Sequence, residues 1–295
     1  MKRLLPILCC LLCIPDGHTQ TPDQKQQTVA LLQALQAPDG GFRPAFGNDA
    51  KAAEAKSSLR ASTSALRALK YFGGGAKDKQ ACAEFINRCF DKTTGGFGDF
   101  PGGKPDAIST AIGLMAVVEV KLPVKDYSDA ATAYLDDHAK SFEDVRLAAA
   151  AMEAIGGHSP MIQRWLAQIT KMSNQDGTYG KGDGVARATG SAVAAILRLG
   201  AEVPQREQVV RALKEGQRAD GGFGQEGKSN SDLETSYRVV RAFVMLKERP
   251  DAQRMRAFVA KCRNDDGGYG IAPGQASQVA STYFAAIIQH WLAEK

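Results

Sequence analysis

The chain has 295 residues, of which 44% are hydrophobic and 23% charged, and a net charge of +5. This is ordinary for a soluble globular protein and long enough to bury a large core. The charge excess is mild, and Lys and Arg alternate with Asp and Glu instead of forming runs, so no nucleic-acid partner is expected.

The N-terminus reads separately from the rest. Lys2 and Arg3 precede an apolar run from Leu4 to Ile14 and a polar stretch from Pro15 to Gln24. That is the layout of a secretory signal, and it is too short to span a bilayer. Residues 1–20 are therefore read as a signal-like segment and residues 21–295 as one domain, exported to a periplasmic or secreted location. No small-x-small triplet marks a cleavage site. Cys9, Cys10 and Cys13 lie inside the run, which leaves lipid anchoring open. Of the other cysteines, Cys82 and Cys89 are seven apart, roughly 10 Å along one helix. They are too far apart to bridge, so with Cys262 they read as buried free thiols.

Further along, helical apolar spacing alternates with a recurring turn. Gln26–Gln36 leads into Asp39-Gly-Gly-Phe42, followed by a second helix over Ser62–Tyr71. Ala81–Phe90 leads into Thr94-Gly-Gly-Phe-Gly98 and then Thr110–Val118. Tyr127–Ala139 and Glu143–Ile155 form a pair without the turn. Met161–Met172, Asp176-Gly-Thr-Tyr-Gly180 and Thr189–Leu199 follow. Glu207–Gln217, Asp220-Gly-Gly-Phe-Gly224 and Thr235–Leu246 come next. Ala252–Cys262, Asp266-Gly-Gly-Tyr-Gly270 and Thr282–Leu292 complete the set.

The first helix of each pair is amphipathic and the second is apolar on most faces, which predicts an outer and an inner layer. Six helical hairpins of roughly 45 residues fit a closed ring or an open superhelix. No run alternates with period two over strand length, so no sheet is expected. Thr63, Thr110, Thr189, Thr235 and Thr282 mark a common place near the inner-helix starts, where a hydroxyl suits a cap. In the turn, glycine allows a left-handed helix end, the aromatic packs back between helices, and the Asp bonds loop N–H groups. The motif is complete as structure without any chemistry.

These residues carry a family likeness. Gln36-x-x-x-Gly40-x-Phe42 and Gln217-x-x-x-Gly221-x-Phe223 resemble the Gln-to-Trp repeat of squalene and hopene cyclases, with Phe for Trp. The longer unit resembles the β subunits of protein prenyltransferases. The resemblance implies an all-α (α/α)6 toroid with inner and outer helix rings around a largely apolar funnel that holds isoprenoid chains. It also implies a zinc site of an Asp-x-Cys pair and a later His before a Thr. Those positions are Asp232, Glu234 and Ser281, so two of three ligands differ. Zinc is accordingly not expected, and no other cofactor is implied. The bland reading of Asp232 and Glu234 is two acids at a positive helix N-terminus. The basic loop that holds diphosphate in the family is here Gln225-Glu-Gly-Lys228-Ser-Asn230, and no cyclase Asp-x-Asp-Asp is present.

Arg67, Arg146, Arg187, Arg198, Arg238 and Arg241 lie on or at the start of inner helices. They read as partners of acids between helix layers, or as a binding face for an anionic head group. The expectation is a non-catalytic toroid binding an apolar or isoprenoid-like ligand, or a protein partner, by its funnel or rim. The alternative is a divergent enzyme of prenyl or terpenoid chemistry. The candidate ligand-binding residues are Asp232, Glu234, Thr235, Tyr237, Ser281, Thr282 and Tyr283.

Overall fold

The computed structural model describes residues 20–46 and 55–293. The signal-like segment, 1–20, lies outside the described residues except for Gln20. The described residues contain twelve α-helices in six hairpins: α1 (Pro22–Ala34) with α2 (Leu59–Phe72), α3 (Lys79–Arg88) with α4 (Ala107–Glu119), and α5 (Ser128–His138) with α6 (Phe142–Ile155). Then come α7 (Ile162–Thr170) with α8 (Val185–Arg198), α9 (Arg206–Glu215) with α10 (Leu233–Met245), and α11 (Ala252–Lys261) with α12 (Val279–Ala293).

The even-numbered helices pack side to side in sequence order, and α12 packs against α2, so the inner ring closes. The odd-numbered helices lie outside it, against their inner neighbours. Closure extends to the outer ring, where Thr28 of α1 donates to the Gly267 carbonyl at 2.6 Å and Gln27 to that of Asp265 at 2.7 Å. The fold is the expected (α/α)6 toroid, and the closed ring, not the open superhelix, is what forms. None of its described helices is long and apolar enough to cross a membrane.

The turn holds the two layers together. Its aromatics Phe42, Phe97, Tyr179, Phe223 and Tyr269 are all buried. Each aromatic's backbone N–H donates to a hydroxyl one turn into the next inner helix. The acceptors are Ser62, Thr110, Thr189, Ser236 and Thr282, at 2.9–3.1 Å. A buried amide without a partner is costly, so each hydroxyl fixes where its loop meets its helix. Asp39, Asp176, Asp220 and Asp266 accept loop N–H groups as the sequence predicted. Gln36 and Gln217 reach further: each donates to the backbone carbonyl of the next outer helix's N-cap residue, Asp78 or Asp251, and accepts that residue's N–H. Gly221 lies at φ +94°, and a Cβ there would stand 2.2 Å from the Arg254 carbonyl oxygen. The turn thus abuts the next outer helix.

Three expectations need correction. The Thr positions do not cap their own helices. Ser58, Asp106 and Asp232 cap α2, α4 and α10, three or four residues earlier than predicted. In the first and fifth hairpins the amide acceptor is Ser62 or Ser236, one residue from the Thr that the pattern marked. A two-stranded antiparallel pair also exists, β1 (Phe223–Gly224) with β2 (Ser231–Asp232), pairing Phe223 with Asp232. Two residues are too few for alternation to show in a sequence.

Thr110→Val keeps the side-chain shape and leaves the Phe97 amide without an acceptor. It should lower unfolding free energy by about 1–3 kcal/mol, read as a lower urea midpoint, while Thr110→Ser should stay close to wild type. Equal midpoints for the two variants would refute the lock. Gly221→Ala should destabilise more than Thr110→Val, because its Cβ meets backbone that cannot yield.

Candidate functional site

Helices apolar on the outer side and closed into a ring leave one shared space on the axis. A cavity of about 500 Å³ occupies it, lined by side chains of all six inner helices. Its apolar wall is Ile108, Ile112 and Met115 of α4, Leu147 and Ala150 of α6, and Phe284 and Ile287 of α12. The rest is charged, which corrects the expectation of a largely apolar funnel. Seven cationic side chains and four acidic ones line the space, an excess of three positive charges. Of the six arginines singled out from sequence, all but Arg187 line it. They pair chiefly with acids of other inner helices and not with acids between the two layers.

Near the inner-helix N-termini these charges form one network. Glu143 of α6 accepts from Arg146 at 2.8 Å and from Arg238 of α10 at 2.6 Å. Because α8 stands between α6 and α10 in the ring, the Arg238 pair spans it. Arg238 also donates to Glu234 at 2.6 Å, and Glu234 accepts from Arg187 at 3.3 Å. Burial alone would raise the Glu143 carboxyl, but Arg238 and Arg146 override it and hold it at about 2. Burial opposes ionisation of Glu234 too, and Arg238 and Arg187 hold it below the usual carboxylate range.

Toward the inner-helix C-termini lies a second cluster. Arg241 is nine residues beyond Asp232 on α10, about 13 Å further along the axis. Its Nη2 donates to the Tyr237 hydroxyl at 3.2 Å, and its guanidinium lies over the Trp291 ring at 4.6 Å. Tyr283 of α12 donates to Tyr237 at 3.5 Å, and Arg67 of α2 donates to Tyr283 at 3.4 Å. Arg198 of α8 pairs with Glu153 at 2.8 Å, and Arg67 with Glu119 at 3.6 Å. Burial would push the Tyr237 phenol up. The Arg241, Arg198 and Arg67 guanidiniums outweigh it and draw Tyr237 down to about 7. Tyr283 is raised, first by burial and then by the charge on Tyr237.

The residues predicted from sequence divide in two. Glu234, Tyr237 and Tyr283 line the cavity. Asp232 instead caps α10, its Oδ1 accepting the Thr235 N–H at 2.7 Å and its Oδ2 the Thr235 hydroxyl at 2.8 Å. Thr282 accepts the Tyr269 amide, and Ser281 is fully buried with no hydrogen-bond partner for its hydroxyl. Sequence reasoning named the Arg241 and Arg198 positions but gave no reason to separate them from the other arginines. With its paired carboxylates the Arg-Tyr cluster draws on all six inner helices, which no local pattern reveals. Among the described residues no group of three or more His, Cys, Asp or Glu side chains is placed to hold a metal ion. Cys82, Cys89 and Cys262 are buried free thiols pushed up to about 12 by burial.

Known proteins share this architecture. The model of the prenyltransferase alpha-alpha toroid domain matches residues 7–74, 63–135 and 147–293. Among solved structures, Candida albicans protein geranylgeranyltransferase-I complexed with GGPP superposes with a TM-score of 0.71 at 14% identity, covering 90% of each chain. The type II terpene cyclase MstE from Scytonema, in its apo form, gives 0.63 at 12% identity, covering 92% of this chain and 98% of its own. A glycosidase E335A variant in complex with glucose also gives 0.63 at 12% identity, covering 92% and 96%. At these identities the likeness is one of fold. No curated protein is matched by the sequence. Six inner and six outer helices, the repeated glycine turn and a domain match over most of the length lead to one conclusion: the chain belongs to the prenyltransferase alpha-alpha toroid domain family.

Proposed function

We propose that this toroid is a non-catalytic binding protein that takes an apolar, isoprenoid-like ligand in its central cavity, without zinc. The observation that carries this reading is the apolar wall of α4, α6 and α12 in a cavity of about 500 Å³, within the usual range of roughly 300–1,000 Å³ for ligand pockets. Glu234, Tyr237 and Tyr283 face the ligand, Asp232, Thr235 and Thr282 fix the helix starts that present them, and Ser281 is buried beside them without a hydrogen-bond partner. The zinc positions support the same reading. Both Asp232 oxygens are engaged by the cap, Glu234 is engaged by two arginines, and the Ser281 hydroxyl is a poor zinc ligand. With the signal-like N-terminus, we place this binding outside the cytoplasm.

A second reading, a divergent enzyme of prenyl or terpenoid chemistry, is favoured by one observation. The Arg241, Arg198 and Arg67 guanidiniums draw the Tyr237 phenol down to about 7, the range in which a proton-transfer group operates.

Geranylgeraniol should raise the melting temperature of the full chain, and chelation with EDTA should leave that shift unchanged. Leu147→Arg should remove it by filling the apolar wall. Asp232→Ala should lose about 1 kcal/mol of stability through its cap, and Asp232→Asn should lose little and keep ligand binding. Steady release of pyrophosphate from geranylgeranyl diphosphate would contradict the binding reading and support the enzyme. Separately, absorbance near 295 nm should show one phenol ionising near pH 7, below the ordinary value of about 10. A depressed pKa means that the ionised form favours the folded state. Its stabilisation is present at high pH and lost as pH falls through 7. Tyr237→Phe should abolish this transition.

A further inference from the structure

Two of the three arginines at the C-terminal end of the cavity face a carboxylate, and the third does not. Arg67 has Glu119 and Arg198 has Glu153. Arg241 has no carboxylate within ion-pair distance among the described residues. Its neighbours are the Tyr237 hydroxyl and the faces of Trp291 and Tyr237, and its buried Nε has no hydrogen-bond partner. A guanidinium held by aromatic faces, with donor capacity unspent, suits bidentate recognition of an oxyanion. Lys70 shares Glu119 with Arg67 at 3.1 Å, so Glu119 and Glu153 leave the four cations at this end two charges short of neutrality, and the Tyr237 phenol is drawn toward ionisation as a partial counter-charge.

We propose that Arg241, with Arg67 and Arg198, forms an oxyanion site at the C-terminal end of the inner helices, taking the carboxylate or phosphate head of an amphiphile. Its tail then lies against Ile112, Met115 and Leu147. The site is about 13 Å along the axis from the Asp232 cap, and a tail on Ile112, Met115 and Leu147 points from it toward the inner-helix N-termini. Only the tail placement rests on the apolar reading above.

The site has a built-in reporter. Tyr237 is faced by Arg241 on its own helix, Arg198 on α8, Arg67 on α2 and Tyr283 on α12, with Glu153 of α6 beyond Arg198 and Glu119 of α4 beyond Arg67. An incoming anion replaces the phenolate as their counter-charge. Tyr237 then regains its proton, taken from solvent, and its affinity-linked signature is proton uptake. For an anion that stays ionised, affinity should fall as pH rises above 7.

The test is titration of the full chain with dodecanoate, dodecyl phosphate, dodecanol and inorganic phosphate. Absorbance near 295 nm and calorimetry in two buffers of different ionisation heat give the readout. Either or both amphiphilic anions should bind with loss of absorbance and proton uptake, and which of them does so identifies the head group. Dodecanol should cause neither change. Arg241→Met should weaken anion binding about tenfold more than dodecanol binding. Tyr237→Phe should abolish the absorbance change and the proton uptake and, by removing the competing phenolate, remove the fall of anion affinity above pH 7, a readout that serves if Arg241→Met does not fold. Binding of phosphate with none of dodecanol would support this site and sink the apolar reading. Anions binding no better than dodecanol, without proton uptake, would overturn the site and spare the apolar reading. No binding by any of the four would overturn both.

Discussion

The structure depends on one buried hydrogen bond made five times. The backbone N–H of a buried aromatic donates to a hydroxyl on the following inner helix, at Ser62, Thr110, Thr189, Ser236 or Thr282. The aromatic must be buried to fill the space between layers, and burial would strand its amide. The hydroxyl answers that need and sets the height of each inner helix relative to its loop. The glutamine of the same turn ties the loop to the next outer helix. Loop, inner helix and next outer helix are therefore fixed together, and repetition around a ring leaves no free end to cap. The third hairpin lacks the turn and relies on a capping box at Ser141 and Asp144 instead.

Because these locks sit in the loops and on the outer sides of the inner helices, the axis-facing positions are released from structural duty. In this chain they carry arginines, glutamates and tyrosines. In so confined a space such charges draw compensation, and most have it. Glu143 and Glu234 are each gripped by two arginines. The compensation fails at Arg241, and a phenol is drawn toward ionisation as a result. Asp232 and Glu234, at the start of α10, serve the helix cap and the arginine network.

The six hairpins were legible from the sequence because their signals are local: spacings of three and four residues marked the twelve helices and the glycine turns paired five of the six hairpins, whereas ring closure was implied only by the family resemblance. Inner-helix starts were displaced because Thr110 and its counterparts look like caps, while the true caps, such as Asp106 and Asp232, lie three or four residues earlier in apparent loop. The roles of Ser62 and Ser236 were hidden by an adjacent Thr. The cavity was legible only in outline. The arginines could be assigned to inner helices, but their partners lie on other helices at separations of tens of residues, as with Arg238 and Glu143. The difference between a paired Arg198 and an unpaired Arg241 is a property of the ring and not of any stretch of chain.

The central claim is that positive charge is left uncompensated at the C-terminal end of the cavity, around Arg241, and that an anion binds there. Crystals soaked in selenate and measured at the selenium edge test it directly. The account predicts an anomalous peak within hydrogen-bonding distance of the Arg241 guanidinium, lost in Arg241→Met. A peak only among the Arg146 and Arg238 groups at the other end, or none inside the ring, would contradict it.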